Sequence, residues 1–163
     1  MTELEGAILG VLRDGRAATP YAVRRQFQIS ISAEWSGSAG AVYPAIRRME
    51  KAQLVSAKAQ KDGRGTKFYA LTAKGRRAHN AWLCDVKRAA GPGLDPFRIR
   101  ATMWFFLPAK KRAALMRALA RQTARLHKQM SVRLASSDEI EAVPRDLHLR
   151  LLKMRLEWLK ARR

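Results

Sequence analysis

The sequence is poor in acidic residues and contains one cysteine. Its 163 residues include 13 Asp and Glu against 33 Lys and Arg, which leaves a formal net charge of +20. Such a charge repels itself unless a polyanion neutralises it, so nucleic acid is the first class of partner to consider and an anionic membrane surface the second. Cys84 cannot form an internal disulfide, and this favours a reducing compartment.

Long apolar runs are missing as well. The most apolar stretch, Ala101–Leu107, is seven residues long, whereas a membrane-spanning helix needs about 20. The first residues, Met1–Glu5, carry acids where a secretory signal carries bases. We therefore expect a cytoplasmic protein. An apolar fraction of 47% excludes a wholly disordered chain.

Motifs of catalysis and metal binding are weak. His79, His127 and His148 have no metal-ligand spacing. The stretch Ser36–Gly40 has Ser where the hydrolase elbow motif requires its first Gly. No enzyme activity, cofactor or metal is expected.

The first half predicts three helices. Thr2–Glu5 has the form of a capping box, and Thr19-Pro20 places an N-cap before a proline at the first helical position. Ser38 is the expected N-cap of the third helix. Pro44 follows inside that helix and predicts a kink or a late start.

The apolar period then changes from about 3.6 to 2. Val55–Ala59 and Lys67–Leu71 alternate on either side of a glycine-containing turn, and this pattern predicts a β-hairpin. A fourth helix is expected from Thr72 to about Ala89. Gly91–Gly93 interrupts it, so we predict a first domain of residues 1–90 and a second of residues 91–163.

The second domain is predicted to be helical, with helices beginning near Asp95, Pro108 and Pro144. The last helix has two apolar rows on roughly opposite sides. A helix that is apolar on two faces needs cover on both, and a second subunit is the natural cover. We predict a dimer interface at Leu147, Leu151, Met154 and Trp158 in one row and Leu149, Leu152, Leu156 and Leu159 in the other.

Three helices, a two-stranded ribbon and a helix, in that order, predict a mainly α protein with an N-terminal winged helix-turn-helix. An α-helix fits the major groove of DNA, and a basic hairpin tip suits phosphates. The cations expected to meet DNA are Arg24 and Arg25 on the second helix, Arg47, Arg48 and Lys51 on the third, and Lys61, Arg64 and Lys67 at the hairpin.

Residues 4–85 resemble the PadR family of transcriptional regulators. The motifs that carry the resemblance are Ile8–Leu12, Ser38–Ile46, Arg64–Thr72, Gly75 and Trp82-Leu83. The second half is similar to the helical C-terminal dimerisation domain of the virulence-regulator-type members, at Leu94–Arg98, Leu107-Pro108 and Glu157–Leu159.

This resemblance implies a homodimeric regulator, usually a repressor, that binds a palindromic operator and often releases it on binding a small effector. Ser38, Gly40 and Tyr43 would approach the DNA backbone, and Arg64 and Lys67 would serve in the wing. Tyr21 would be a core or phosphate contact beside the third helix.

The sequence departs from the family pattern in the reading helix and in its turns. Ala39 and Ala41 stand where larger or polar side chains commonly face the groove, and alanine cannot hydrogen-bond a base. Specificity would then depend on Arg47, Arg48, the wing and DNA shape. Glycine is usual where this chain has Pro20 and Gln53, and proline where it has Gly65. Gln53 follows the third helix, at the position where a left-handed cap is favoured.

Two questions stay open at this point. Trp104, Phe105 and Phe106, with Trp158, are either dimer core or the wall of a pocket for a flat aromatic effector. The net charge divides into +9 for residues 1–90 and +11 for residues 91–163. The basic second half keeps an alternative function open: a nucleoid-associated architectural protein that binds DNA or RNA with little sequence preference.

Overall fold

The chain forms two compact units, Met1–Leu83 and Cys84–Arg163. The computed structural model describes residues 1–14, 17–28, 38–60, 65–93 and 95–162, without the side chains of residues 14, 39 and 95. The first unit contains α1 (Glu3–Val11), α2 (Pro20–Gln28), α3 (Ala39–Lys51), β1 (Val55–Ala59), β2 (Lys67–Leu71) and α4 (Ala73–Leu83). The second contains α5 (Val86–Ala89), α6 (Asp95–Met103), α7 (Ala109–Ala135) and α8 (Glu139–Lys160).

Threonine caps begin three of the helices in the first unit. Thr2 and Glu5 form the complete capping box of α1. The Thr19 hydroxyl accepts a hydrogen bond from the Ala22 amide at 3.2 Å, before Pro20 opens α2. At the start of α4, the hydroxyl of Thr72 accepts from a backbone amide one turn later. The predicted starts of these helices are confirmed.

Helix α3 begins directly after Ser38 and carries Pro44 in its interior. The expectation of a late start is wrong. Proline lacks the amide that would bond to the carbonyl of Gly40, so one helical hydrogen bond is missing. Burial of apolar side chains on both sides of Pro44, such as Val42 and Ile46, outweighs that loss.

Helix α3 ends in a left-handed turn at Gln53. Gln53 has φ 60°, in the left-handed region that the departure from glycine led us to expect. Its amide donates to the carbonyl of Glu50 and the amide of Leu54 to that of Met49, both at 2.9 Å. These two bonds form a Schellman turn, which directs the chain into β1.

Strands β1 and β2 form the predicted antiparallel hairpin, with a register from Val55↔Leu71 to Ala59↔Lys67. Ala18 adds a short bridge to Tyr69 on the other side of β2. Only Val55 is buried in β1, whereas Ala57 is exposed. The alternation in the sequence therefore identified the strand but not a buried face on β1. In the pair of Ala57 and Tyr69, the buried residue is Tyr69 on β2.

Two glycines allow close packing between elements of the first unit. A Cβ on Gly75 would lie 2.0 Å from the carbonyl oxygen of Leu54, and one on Gly6 would lie 2.2 Å from the Trp82 ring. Both positions therefore require glycine. The core around them consists of Ala7, Ile8, Leu9, Leu12, Val23, Val42, Ala45, Ile46, Met49 and Leu83.

The junction between the units lies earlier than residues 90 and 91. Helix α4 ends at Leu83, and Asp85 caps the short α5 by accepting from the Arg88 amide at 3.0 Å. Helix α5 packs with α6 and α7 and so belongs to the second unit. The apolar periodicity of the sequence predicted one helix here, because it does not show the short break between Leu83 and Val86.

Helices α7 and α8 pack along each other and form most of the second unit. Helix α8 begins at Glu139, capped by Asp138, five residues before Pro144. The predicted start at Pro144 is wrong. Pro144 lies inside the helix and lacks the amide that would bond to the carbonyl of Ile140. The helix begins earlier because the Asp138 side chain caps it by accepting from the Glu141 amide. None of the helices in the described part of the chain has the length and apolar character needed to cross a bilayer.

Candidate nucleic-acid interface

Helix α3 has one buried face and one exposed polar face. Val42, Ala45, Ile46 and Met49 are at most 1% exposed and hold the helix in the core. The opposite face is formed by exposed residues at helical spacing: Gly40, Ala41, Tyr43, Pro44, Arg47, Arg48 and Lys51. Helix α2 packs against α3, as in a helix-turn-helix, and the exposed face of α3 is the one available to a groove.

Arg47 and Arg48 differ in their surroundings although they are neighbours. The Nε of Arg48 forms an ion pair with Glu5 at 3.1 Å, which ties α3 to α1. Burial alone would raise the pKa of Glu5, but the backbone hydrogen bond from Thr2 and the Arg48 guanidinium lower it below its usual value. Arg47 is exposed and forms no ion pair among the described residues. It is therefore the better candidate for a base contact.

The predicted residues of α2 lie at the surface. Tyr21 is 61% exposed, which excludes a role in the core and leaves the phosphate contact. Arg25 is exposed, whereas Arg24 is partly buried. Ser38, just before α3, is exposed as well.

The described part of the wing comprises both strands and leaves out residues 61–64, so Lys61 and Arg64 lie outside the described residues. Lys67 is exposed at the start of β2, and Lys58 is exposed on β1. Gly65 has φ 63°, which proline cannot adopt because its ring fixes φ near −65°. The wing of this chain therefore turns differently from one with proline at this position.

Tyr69 connects the wing to the reading helix. Its hydroxyl donates to a carboxylate oxygen of Glu50 on α3 at 3.4 Å. Burial, followed by the charge and hydrogen bond of Glu50, raises the pKa of the Tyr69 phenol. The sequence did not identify Glu50, Glu5 or Lys58 as residues of this candidate interface. Glu5 and Arg48 are 43 residues apart, so no local pattern indicates that they meet.

The exposed apolar residues of α8 form one row. Ile140, Val143, Leu147 and Met154 are 86%, 62%, 63% and 50% exposed, and Leu151 and Trp158 continue the row half-buried. In the second predicted row, Leu152 and Leu159 are fully buried within the chain. These two cannot form a subunit interface, because α7 already covers that face; Leu149 and Leu156 are half-buried.

The aromatic residues of the second unit separate into two groups. Trp104 is buried and contacts Phe97 and Trp158, with ring centroids 5.3 Å and 6.2 Å away. Phe105 is 74% exposed and lies under the Arg112 guanidinium at 5.3 Å. The expected wall of Trp104, Phe105 and Trp158 is thus not a single surface within one chain.

The second unit also has an open pocket of about 410 Å³ that the sequence did not indicate. It is lined by Asp85, Lys87, Arg88, Gly91, Pro92 and Pro96.

Helix-turn-helix, hairpin and fourth helix together define a winged helix-turn-helix DNA-binding protein. Residues 8–81 match the model of the transcriptional regulator PadR-like family. The first unit therefore carries the domain of this family of transcriptional regulators, whose members are not enzymes.

Comparison with solved structures finds a neighbour, PadR bound to operator DNA, whose fold this chain shares. Bacillus subtilis PadR in complex with operator DNA has 20% identity, covers 98% of this chain and 96% of its own, and superposes with a TM-score of 0.50. The same protein in complex with p-coumaric acid has 20% identity, coverages of 97% and 92%, and a TM-score of 0.45. The smu.1604c protein of Streptococcus mutans has 22% identity, coverages of 99% and 98%, and a TM-score of 0.46. No curated protein sequence gives a significant match.

Proposed function

We propose that the protein is a homodimeric repressor that binds a palindromic operator with α3 in the major groove and acts on the chromosome, in the cytoplasm. The observation that carries this proposal is the exposed face of α3, opposite the buried Val42 and Ile46. The fold neighbour from Bacillus subtilis was crystallised with operator DNA, which supports the same partner here.

Some residues of this face contact the DNA backbone and position the helix, and others contact bases. Ser38 and Tyr43 supply hydroxyls that suit phosphate oxygens, and Gly40 lets the helix backbone approach the DNA closely. Arg47 is the base reader, since a guanidinium makes a bidentate contact to guanine. Lys51 adds a phosphate contact, as do Arg25 and Tyr21 from α2 and Lys67 and Arg64 from the wing.

The second unit supplies the two-fold symmetry that a palindrome requires. The exposed row on α8, from Ile140 to Trp158, packs against the same row of a second copy. Its large side chains are otherwise left in water along most of the helix, and a patch of this kind marks a protein interface. Leu147 lies near its centre.

Binding to DNA of the gene's own promoter and to random DNA, measured across a salt series, tests the reading role. We expect a preference of about 10³ or more for the promoter fragment. Arg47→Ala should reduce that preference by about 1–3 kcal/mol. Arg77→Ala, an exposed arginine on α4, is the matched control and should leave the preference unchanged. If Arg47→Ala weakened binding to promoter DNA and to random DNA by the same factor, Arg47 would read no base.

Analytical ultracentrifugation tests the dimer. Leu147→Glu places a charge in the α8 row and should yield monomers with an unchanged helical CD spectrum. Lys153→Glu changes an exposed residue outside the row and should leave the dimer intact. A dimer that persists in Leu147→Glu would contradict the proposed interface.

Release by a small effector is part of the same proposal. Trp158 is half-buried, packs beside Trp104 with the two rings tilted by 55°, and lies under the Arg162 guanidinium at 4.1 Å. Such a site suits a flat aromatic ligand that carries negative charge. Titration of aromatic acids should change tryptophan fluorescence and weaken operator binding in parallel. A panel that changes neither would remove the effector from the proposal.

The basic second unit favours one alternative function, an architectural protein that coats DNA or RNA. Residues 84–163 contain 19 Lys and Arg against seven Asp and Glu. Ala41 on the exposed face of α3 offers no hydrogen bond to a base. A ratio near one between promoter and random DNA would favour this alternative over the repressor.

A further inference from the structure

Helix α7 carries an unusual charge for its length. Its 27 residues include eight Lys and Arg and no Asp or Glu. Five of these cations form a row on one side of the helix, because their separations of seven, four, four and three residues keep them within about 80° at 100° per residue. They are Lys110, Arg117, Arg121, Arg125 and Lys128, and all five are exposed.

The row points away from the core of the second unit. The buried side chains of α7 lie on the opposite side of the helix, where it packs along α8: Leu115, Met116, Leu119, Ala120 and Thr123. No cation of the row takes part in that packing. The charges are therefore held on a rigid, fully helical support.

Nothing within the described residues neutralises this row. The ion pairs of the second unit, Arg145 with Glu141 and Arg150 with Asp146, lie on α8, and none involves the five cations. Arg117, Arg121 and Arg125 follow one another at intervals of four residues, where like charges repel on a helix surface. The helix is thus less stable alone than with a polyanion beside it.

We propose that this row binds the phosphate backbone of duplex DNA, as a second and sequence-independent surface besides α3. The row is about 27 Å long at 1.5 Å per residue, close to the roughly 34 Å of one DNA turn. The inference rests on the proposed function for its choice of DNA as the polyanion. An anionic membrane fits less well, because a membrane-surface helix inserts its apolar face, and that of α7 is buried against α8.

The test compares two double variants that remove the same charge. Arg117→Gln/Arg121→Gln removes two cations of the row, and Lys153→Gln/Lys160→Gln removes two exposed cations of α8. Affinity for a random-sequence duplex is measured across a salt series. Each phosphate contact contributes about 0.9 to the slope of log K against log salt, so the row variant should lose about 1.8 per subunit. The α8 variant should keep the wild-type slope.

Thermal unfolding shows whether the variants are folded. Removing like-charge repulsion should leave the midpoint of the row variant equal to that of the wild type or higher. Pelleting with phosphatidylserine vesicles forms a second arm, in which the row variant and the wild type should behave alike.

An unchanged slope in the row variant would overturn the proposal, as would equal losses in both variants, which would reflect net charge alone. A loss of vesicle binding without a loss of DNA binding would assign the row to a membrane. The promoter preference of Arg47→Ala is independent of these results. An unchanged slope with a persisting Arg47 effect would refute the α7 surface and leave the operator-reading function standing.

Discussion

Acid should destabilise the winged-helix unit through His79 on α4. This side chain is fully buried, and its ring stacks on Trp82 with centroids 5.6 Å apart. Its Nδ1 lies 3.0 Å from a guanidinium nitrogen of Arg13. Burial, and then the positive charge of Arg13, lower the pKa of His79 from 6.5 to about 4. Since Arg13 can only donate, His79 accepts at Nδ1 and is neutral at physiological pH.

The sign and size of the effect follow from the two pKa values. Above pH 6.5 the residue is neutral in both states, and the full stability is present. As the pH falls below 6.5, the unfolded chain binds a proton that the native state does not bind, so the free energy of unfolding decreases until the native pKa near 4 is reached. The loss amounts to about 2 kcal/mol at pH 5 and about 3 kcal/mol at pH 4.

Urea denaturation of the wild type and of His79→Gln at a series of pH values measures this loss. Glutamine can accept the hydrogen bond from Arg13 but does not titrate. Glu5, whose lowered pKa also makes stability depend on pH, is common to both proteins and cancels in the difference. We expect the variant to be less stable at pH 7.5 and the two curves to converge towards pH 4. Parallel curves would refute the assignment of His79 as a buried neutral histidine.

Four further substitutions test the packing directly. Gly75→Ala should destabilise the first unit by about 1–3 kcal/mol in chemical denaturation, because its methyl meets the Leu54 carbonyl at 2.0 Å; Gly40→Ala, with open space at its Cβ, should be neutral or stabilising by up to about 1 kcal/mol. Gln53→Gly should raise the free energy of unfolding by about 1 kcal/mol, since it relieves the left-handed conformation at φ 60°. Arg155→Leu should lower the melting temperature of the second unit, because it removes the buried guanidinium that donates to the carbonyls of residues 90, 91 and 93.

Features carried by neighbouring residues were the ones that the sequence predicted well. The capping box of Thr2, the start of α4 after Thr72 and the left-handed Gln53 each depend on atoms within a few positions along the chain. The hairpin was predicted from the alternation of Val55–Ala59 and Lys67–Leu71, although its register was not. The start of α8 was missed because proline is a common first residue of helices, so Pro144 was the predicted start. Asp138 caps α8 about a turn and a half earlier.

The sequence predicted which residues of α3 share the polar face, but not which of them form ion pairs within the protein. Helical spacing placed Arg47 and Arg48 together on the polar side of α3. Only the packing of α1 against α3 brings Glu5 to Arg48 and leaves Arg47 exposed. In the same way, spacing found two apolar rows on α8, but only the position of α7 decides which row is core and which is left exposed.

The sequence by itself determined the class of protein, because a large excess of cations and the order of helices, hairpin and helix both follow from local composition and periodicity. It also determined where most elements begin, since caps act over three or four residues. The tertiary structure decided which of equivalent side chains are available: Leu152 is buried and Leu147 is exposed, although both are leucines of one helix. It likewise decided that the five cations of the α7 row face outward and form no ion pair among the described residues. Exposure and neutralisation depend on which distant segment packs alongside, and no local pattern records that choice.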